Sequence, residues 1–108
     1  MHSTTRPINR TSAALAASIV ITNPNKLFGF TVTNTGAAQY IQVFDAAALP
    51  ADGEVPKIII PIASGAVEPF EWVNGRRFAV GIVICNSSTA ATKTIGAADC
   101  LFDVQLEG

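Results

Sequence analysis

Apolar and polar residues alternate at period two along most of this chain, and no helix of ordinary length is visible in the pattern. The most strand-like run is Arg77 to Ser88, RFAVGIVICNSS. Phe78, Val80, Ile82 and Ile84 fall on one face of it, and Ala79, Gly81, Val83 and Cys85 on the other. Neither face is polar, which predicts a central strand covered on both sides. Asn86-Ser87-Ser88 ends it, because short polar side chains compete for backbone hydrogen bonds.

The flanking segments supply its neighbours. Ser18 to Thr22 is rich in β-branched residues and reads as a strand, and Asn23-Pro24-Asn25 as a turn. Lys26 to Asn34 alternates, with Phe28, Phe30 and Val32 on one face and Gly29, Thr31 and Thr33 on the other. Gln39 to Ala46 puts Ile41 and Val43 opposite Tyr40, Gln42 and Phe44. Leu49 to Val55 is a loop around Asp52-Gly53. Pro56 to Ala63 collects Ile58, Ile60 and Ile62 on one face, and Val67 to Val73 places Phe70 and Trp72 together with Glu71 facing away. Pro61 lacks an N–H, which places its strand at a sheet edge or gives it a bulge, and Pro69 marks another edge. Asn74-Gly75 is the strongest hairpin signal; it predicts a turn into the central strand that brings Phe70 and Trp72 near Phe78 and Val80. Within STAATKTIGA a short strand is expected at Ala91 to Ile95. Ala98 to Leu106 closes the fold, with Cys100, Phe102, Val104 and Leu106 inside and Asp99, Asp103 and Gln105 outside.

Seven to eight short strands separated by regular turn signals predict an all-β protein, an antiparallel β-sandwich of jelly-roll or immunoglobulin-like topology. The Cys-Trp-Cys order of antibody domains is absent, since Trp72 precedes both cysteines. Residues 1–17 are expected to form a flexible N-terminal arm, with a short helical turn at Ala13 to Ala17, and residues 18–108 a single domain.

Composition narrows the function. Charged residues are 14% of the chain, against about 25% in a typical globular domain. So weakly charged a surface predicts burial against other chains. The net charge of -1 gives no basic field to draw nucleic acid. No apolar run reaches the roughly 18 residues of a membrane span. Ala13 to Ile21 follows two arginines but runs into Thr22-Asn23-Pro24 without a small-residue cleavage site, so it reads as the approach to a strand and not as an export signal.

Candidate chemistry is sparse. The single histidine, His2, lies in the arm, which argues against a histidine-dependent triad or zinc site. Cys100 falls on the face of Phe102 and Val104 and Cys85 on the face opposite Ile84; they read as buried free thiols, with a single bridge between them as the alternative. Asp99 and Asp103 would lie roughly 13 Å apart along one strand, too far to cooperate. No glycine-rich phosphate loop is present, and Asp52-Gly53 is a turn, not a calcium loop. The chain therefore reads as non-enzymatic, with no catalytic, metal or cofactor-binding residues. Tyr40 and Trp72 are the aromatics that could stack on a sugar, although both fit core positions. Arg76-Arg77 is the only adjacent basic pair.

The run FGFTVTNTGAAQYIQVFDAAALPADGEVP, with GRRFAVGIVICNSSTAATKTIGAADCLFDVQ, resembles small structural proteins of tailed-bacteriophage virions. The shared pieces are a strand ending in N-T-G, then QYIQVFD, PADGxVP, GRRF and GIVIxNSST, over about Leu27 to Gln105. The resemblance implies a virion component made in the host cytoplasm, above all a capsid decoration (cement) protein. Its partners would be the major capsid protein or another virion protein and copies of itself, a trimer among the symmetric forms, with no nucleic acid or membrane partner. Arg6, Pro7, Arg10, Arg76 and Arg77 are the candidate contacts. The alternative is a carbohydrate- or receptor-binding module of a tail or tail fibre.

Overall fold

The computed structural model describes residues 7–22 and 26–107, the side chains of Pro7 and Glu107 excepted. Eight antiparallel strands form two four-stranded sheets: β1 Pro7–Thr11, β2 Ser18–Ile21, β3 Lys26–Asn34, β4 Gln39–Asp45, β5 Ile58–Ile62, β6 Val67–Arg77, β7 Ile82–Ser87 and β8 Cys100–Glu107. The described residues contain no helix. Sheet A has the order β1-β8-β3-β6 and sheet B the order β2-β7-β4-β5. The pairs β1·β8, β2·β7, β3·β6 and β4·β5 nest inside one another, as in a long hairpin rolled into two layers. That nesting is the jelly roll, and it decides between the two topologies the sequence left open.

The strand faces follow from alternation. In β8, Cys100, Phe102, Val104 and Leu106 are buried between the sheets, while Leu101, Asp103 and Gln105 face outward. They meet Leu27, Phe30 and Val32 from β3 and Ile41, Val43, Ile82 and Ile84 from sheet B, with Phe78 closing one end. β7 is buried over its whole length, as a central strand with two apolar faces must be. Its outer face packs Val83 and Cys85 against Phe44 in a second, smaller core under the loops of residues 46–57 and 88–97. Both proline-bearing strands, β5 and β6, lie at sheet edges. Asn34 N–H donates to Ala66 O at 2.9 Å, so the hydrogen-bonded pairs of β3·β6 continue as 32·68 and 30·70. Pro69 falls between them, and its missing N–H faces the open edge.

Several expectations are corrected. The arm of residues 1–17 gives way to structure from residue 7: Pro7–Thr11 adds an edge strand to β8, and Ala16 bridges to Cys100 in place of a helical turn. The open edge of β8 offers unpaired N–H and C=O groups, and pairing satisfies them. Asn74-Gly75 makes no hairpin. β6 runs straight through it, and Arg76 and Arg77 pair with Leu27 and Lys26 of β3. Between the pairs Gly29·Glu71 and Leu27·Arg76, the four residues Trp72 to Gly75 stand opposite Phe28 alone. The turn chemistry is spent on this wide bulge, where Gly75 takes a φ of 74° that a side chain would resist. Phe78 to Gly81 then crosses between the sheets, so the central strand starts at Ile82 and not at Arg77, and Val80 is exposed. Phe70 and Trp72 pack on Phe30 rather than beside Val80. The bulge also shifts the register of β3: Leu27 is buried in the core, while Phe28 is only half-buried and lines an outer hollow. Ala91 to Ile95 contributes only an isolated bridge, Ser87·Ile95. The turn Asn23-Pro24-Asn25 lies outside the described residues.

Candidate functional site

The polar side chains of the strand ends and loops are mostly engaged in holding the fold. At one end of the sandwich, Asn34 of β3, Gln39 of β4, Asn86 of β7 and Asp99 just before β8 form a hydrogen-bonded knot. Asn34 and Asn86 are both fully buried. Gln39 Nε2 donates to Asn34 Oδ1 at 2.8 Å and to Asp99 Oδ1 at 3.0 Å. Asn86 Nδ2 donates to Ala97 O at 2.7 Å and to Asp99 Oδ1 at 3.1 Å, and its Oδ1 accepts from Gly96 N–H at 3.0 Å. Asn34 Nδ2 donates to Ala37 O and Ala63 O, at 2.9 and 3.1 Å. Four strands from both sheets are thus tied at one point. Asp99, expected on a solvent face, belongs to this knot, because β8 starts at Cys100, two residues later than alternation alone suggests, and Asp99 lies just before it.

The loops over sheet B are fastened the same way. Gln42 is fully buried, and its Nε2 donates to the carbonyls of Thr89 and Ala90, each at 2.9 Å. Ser87 Oγ accepts from Thr94 N–H at 3.0 Å. Lys93, 2% exposed, pairs its ammonium with Asp52, which holds the Asp52 carboxyl below its ordinary range; the backbone N–H of Ile95 adds to that. The PADG turn and the TKTI segment are thereby locked together.

Asp45 caps the crossover into β7. Its carboxylate accepts from the backbone N–H groups of Ala79, Val80 and Gly81, at 3.0, 2.8 and 3.1 Å. Burial raises its pKa, but the three donors and the charge of Lys57 outweigh that and hold the carboxyl below its ordinary 3.8. A depressed carboxylate contributes stability above its unfolded-state pKa and loses it as pH falls through the folded value. We expect Asp45→Asn to lower the melting temperature near neutral pH and to leave it little changed in acid, below the carboxylate range. Thermal unfolding followed by Trp72 fluorescence across that window checks this; equal losses at both ends would contradict it.

Cys85 and Cys100 are free and buried, and burial pushes both thiols up to about 11. They are therefore poor nucleophiles and poor metal ligands near neutral pH. Among the described residues, no cluster of three or more His, Cys, Asp or Glu side chains is placed to hold a metal ion. His2 lies outside them.

What the fold leaves open is the outer face of sheet A and its β6 edge. Sheet B has loops over its outer face; sheet A has none comparable. Asn9, Gln105, Gly29 and Glu71 form one row across all four strands, and Thr11, Asp103, Thr31 and Pro69 form the next. The absence of a side chain at Gly29 lets β6 approach closely at the first row. Beside it lies a hollow of about 480 Å³ lined by Asn9, Phe28, Glu71, Trp72, Val73 and Gln105. Asp103 Oδ1 is enclosed on this face without a hydrogen-bond partner among the described residues.

The aromatics expected as sugar platforms divide. Trp72 is partly buried, 4.8 Å from Phe70 edge to face and 6.2 Å from Phe30, so most of it serves packing. Tyr40 is half-buried on sheet B beside Pro61 and lines a shallow hollow with Glu68. Of the candidate contact residues, Arg76 and Arg77 are exposed at the end of β6. Arg10 is exposed on β1, at the opposite edge of the same sheet, about 14 Å away at the usual strand spacing. The backbone of Pro7 pairs with Glu107, and Arg6 lies outside the described residues. None of Arg10, Arg76 and Arg77 joins an ion pair among the described residues, where Lys93–Asp52 is the one such pair. The length of β6 is hidden in the sequence by Asn74-Gly75, which reads as a strand end; the Glu-x-x-Glu spacing before it and the two arginines after it are the available signal.

Comparison with protein-family models, with curated proteins and with solved structures gives no match for this chain. Fold and site define its class: an eight-stranded antiparallel jelly-roll sandwich with one uncovered sheet.

Proposed function

We propose that the chain is a non-enzymatic structural protein of a tailed-phage virion, a decoration protein that binds the shell and stabilises it. The observation that carries this reading is the uncovered outer face of sheet A. It spans four strands, is largely uncharged, and is not covered by any loop of the described residues. A broad shallow surface of that kind suits contact with another protein surface better than enclosure of a small substrate. The resemblance of the strand and turn motifs to virion proteins supports it. So does the way Asn34, Asp45, Asp52, Asn86 and Ser87, the polar members of those motifs, are used up in structural hydrogen bonds. Jelly rolls serve as capsid components and as lectins, so the fold alone does not choose. The hollow beside Trp72, with aromatic, amide and carboxylate lining, favours a saccharide-binding module as the second reading.

One experiment separates the two. The protein is mixed with phage heads lacking it, from a lysate that carries its gene, and with free oligosaccharides, while Trp72, the only tryptophan, reports by fluorescence. Co-sedimentation with the heads, abolished by Thr31→Arg in the middle of the open face, is the expected outcome. A fluorescence response to sugars without binding to heads would replace the decoration reading with the saccharide one.

A further inference from the structure

The outer edge of β6 has features of a self-complementary surface. The strand is eleven residues long, lies at the edge of sheet A and pairs only with β3. Its exposed apolar residues include Val67, Phe70 and Val73, the last 96% exposed. An exposed edge with apolar side chains is the kind of surface that proteins otherwise blunt or cover. Charge along the strand is segregated: Glu68 and Glu71 precede the bulge, and Arg76 and Arg77 follow it. None of the four is in an ion pair among the described residues.

We propose that β6 is a homodimer interface, with two copies of this chain meeting edge to edge and antiparallel about a two-fold axis close to Val73. Reversing the strand direction brings the acidic half of each copy alongside the basic half of the other. A parallel arrangement would set like charges together. The midpoint between Glu68 and Arg76 is residue 72, and that between Glu71 and Arg77 is residue 74, so the two charge pairings centre one residue to either side of Val73. The contact is isologous, each surface serving as its own partner, and it closes at two copies. Pro69 removes one outward donor from the first half of the strand, which puts the weight of the contact on the segment from Glu71 onward. There the bulge of Trp72 to Gly75 leaves Val73 unpaired with β3 and 96% exposed. This interface does not depend on the virion reading and differs from a three-fold cluster.

Sedimentation velocity on the full chain tests it. The wild type is expected to sediment as a dimer. Val73→Asp, which places like charges at the axis but touches no core residue, is expected to give a monomer with an unchanged melting temperature. The double variants Glu68→Lys/Glu71→Lys and Arg76→Glu/Arg77→Glu are each expected to be monomeric alone. Mixed in equal amounts they are expected to recover the dimer, because one then carries an all-basic edge and the other an all-acidic one. A monomeric or three-fold wild type, a dimer indifferent to Val73→Asp, or a mixture that stays monomeric overturns the interface. A monomer that still binds phage heads would remove this contact alone; a dimer that ignores them would remove the decoration reading alone.

Discussion

Asn86→Ala is expected to destabilise the protein by about 2–3 kcal/mol, because three part-buried groups lose a hydrogen-bond partner at once. Ala97 O loses a donor at 2.7 Å, Gly96 N–H loses its acceptor at 3.0 Å, and Asp99 loses one of the two amides that satisfy its Oδ1. The Asn86 side chain itself is fully buried in β7. The contribution exceeds that of an ordinary hydrogen bond because the knot joins both sheets and the loop that returns the chain to β8. Urea denaturation measures it, and a loss below about 1 kcal/mol would show that the knot relaxes around the gap. Asn86→Asp should be worse near neutral pH, where it sets a second carboxylate against Asp99, and should recover in acid as one of the two carboxyls takes up a proton.

The second large effect is expected at Gly29, where Gly29→Ala should cost about 2–3 kcal/mol. A β-carbon there would run into Phe70 O and would lie 3.0 Å from both Glu71 Cα and Cβ, all on β6. Two of those three atoms are backbone, so the strand itself must move. The displaced element is the edge strand of sheet A, which has no other strand of the same chain on its far side. The loss should therefore be local: amide hydrogen exchange should accelerate across Val67–Arg77 more than across β7 or β8. A uniform acceleration across the sandwich would instead mean that Gly29 matters to the whole core.

Much of the architecture was legible because alternation is a direct record of burial. The outward Asp103 and Gln105 and the inward Phe102 and Val104 of β8 follow from period two alone. The prolines marked the edges because their missing N–H cannot be paid for inside a ladder. Where reading failed, a local signal had two uses. Asn-Gly favours positive φ, which serves a hairpin turn and a bulge equally, and tertiary pairing with β3 chose the bulge. β1 has too little apolar content to announce itself; it is a strand because the edge of β8 needs a partner. The knot was invisible for a different reason. Asn34, Gln39, Asn86 and Asp99 are spread over 66 residues, and no spacing rule connects groups that only the rolled topology brings together. The open face of sheet A was half legible: its Thr, Asn and Gln residues read as solvated, but only the strand order shows that they form continuous rows.

The division of labour between the two sheets has an evolutionary consequence. Sheet B, with both faces packed, tolerates few changes, since nearly every side chain in β7 has close neighbours. The outer rows of sheet A, by contrast, carry almost no share of the fold's stability. Substitutions at Asn9, Thr11, Thr31, Thr33, Leu101 and Gln105 are then nearly free to drift, so a lineage bearing this domain could change what it attaches to while leaving the scaffold untouched.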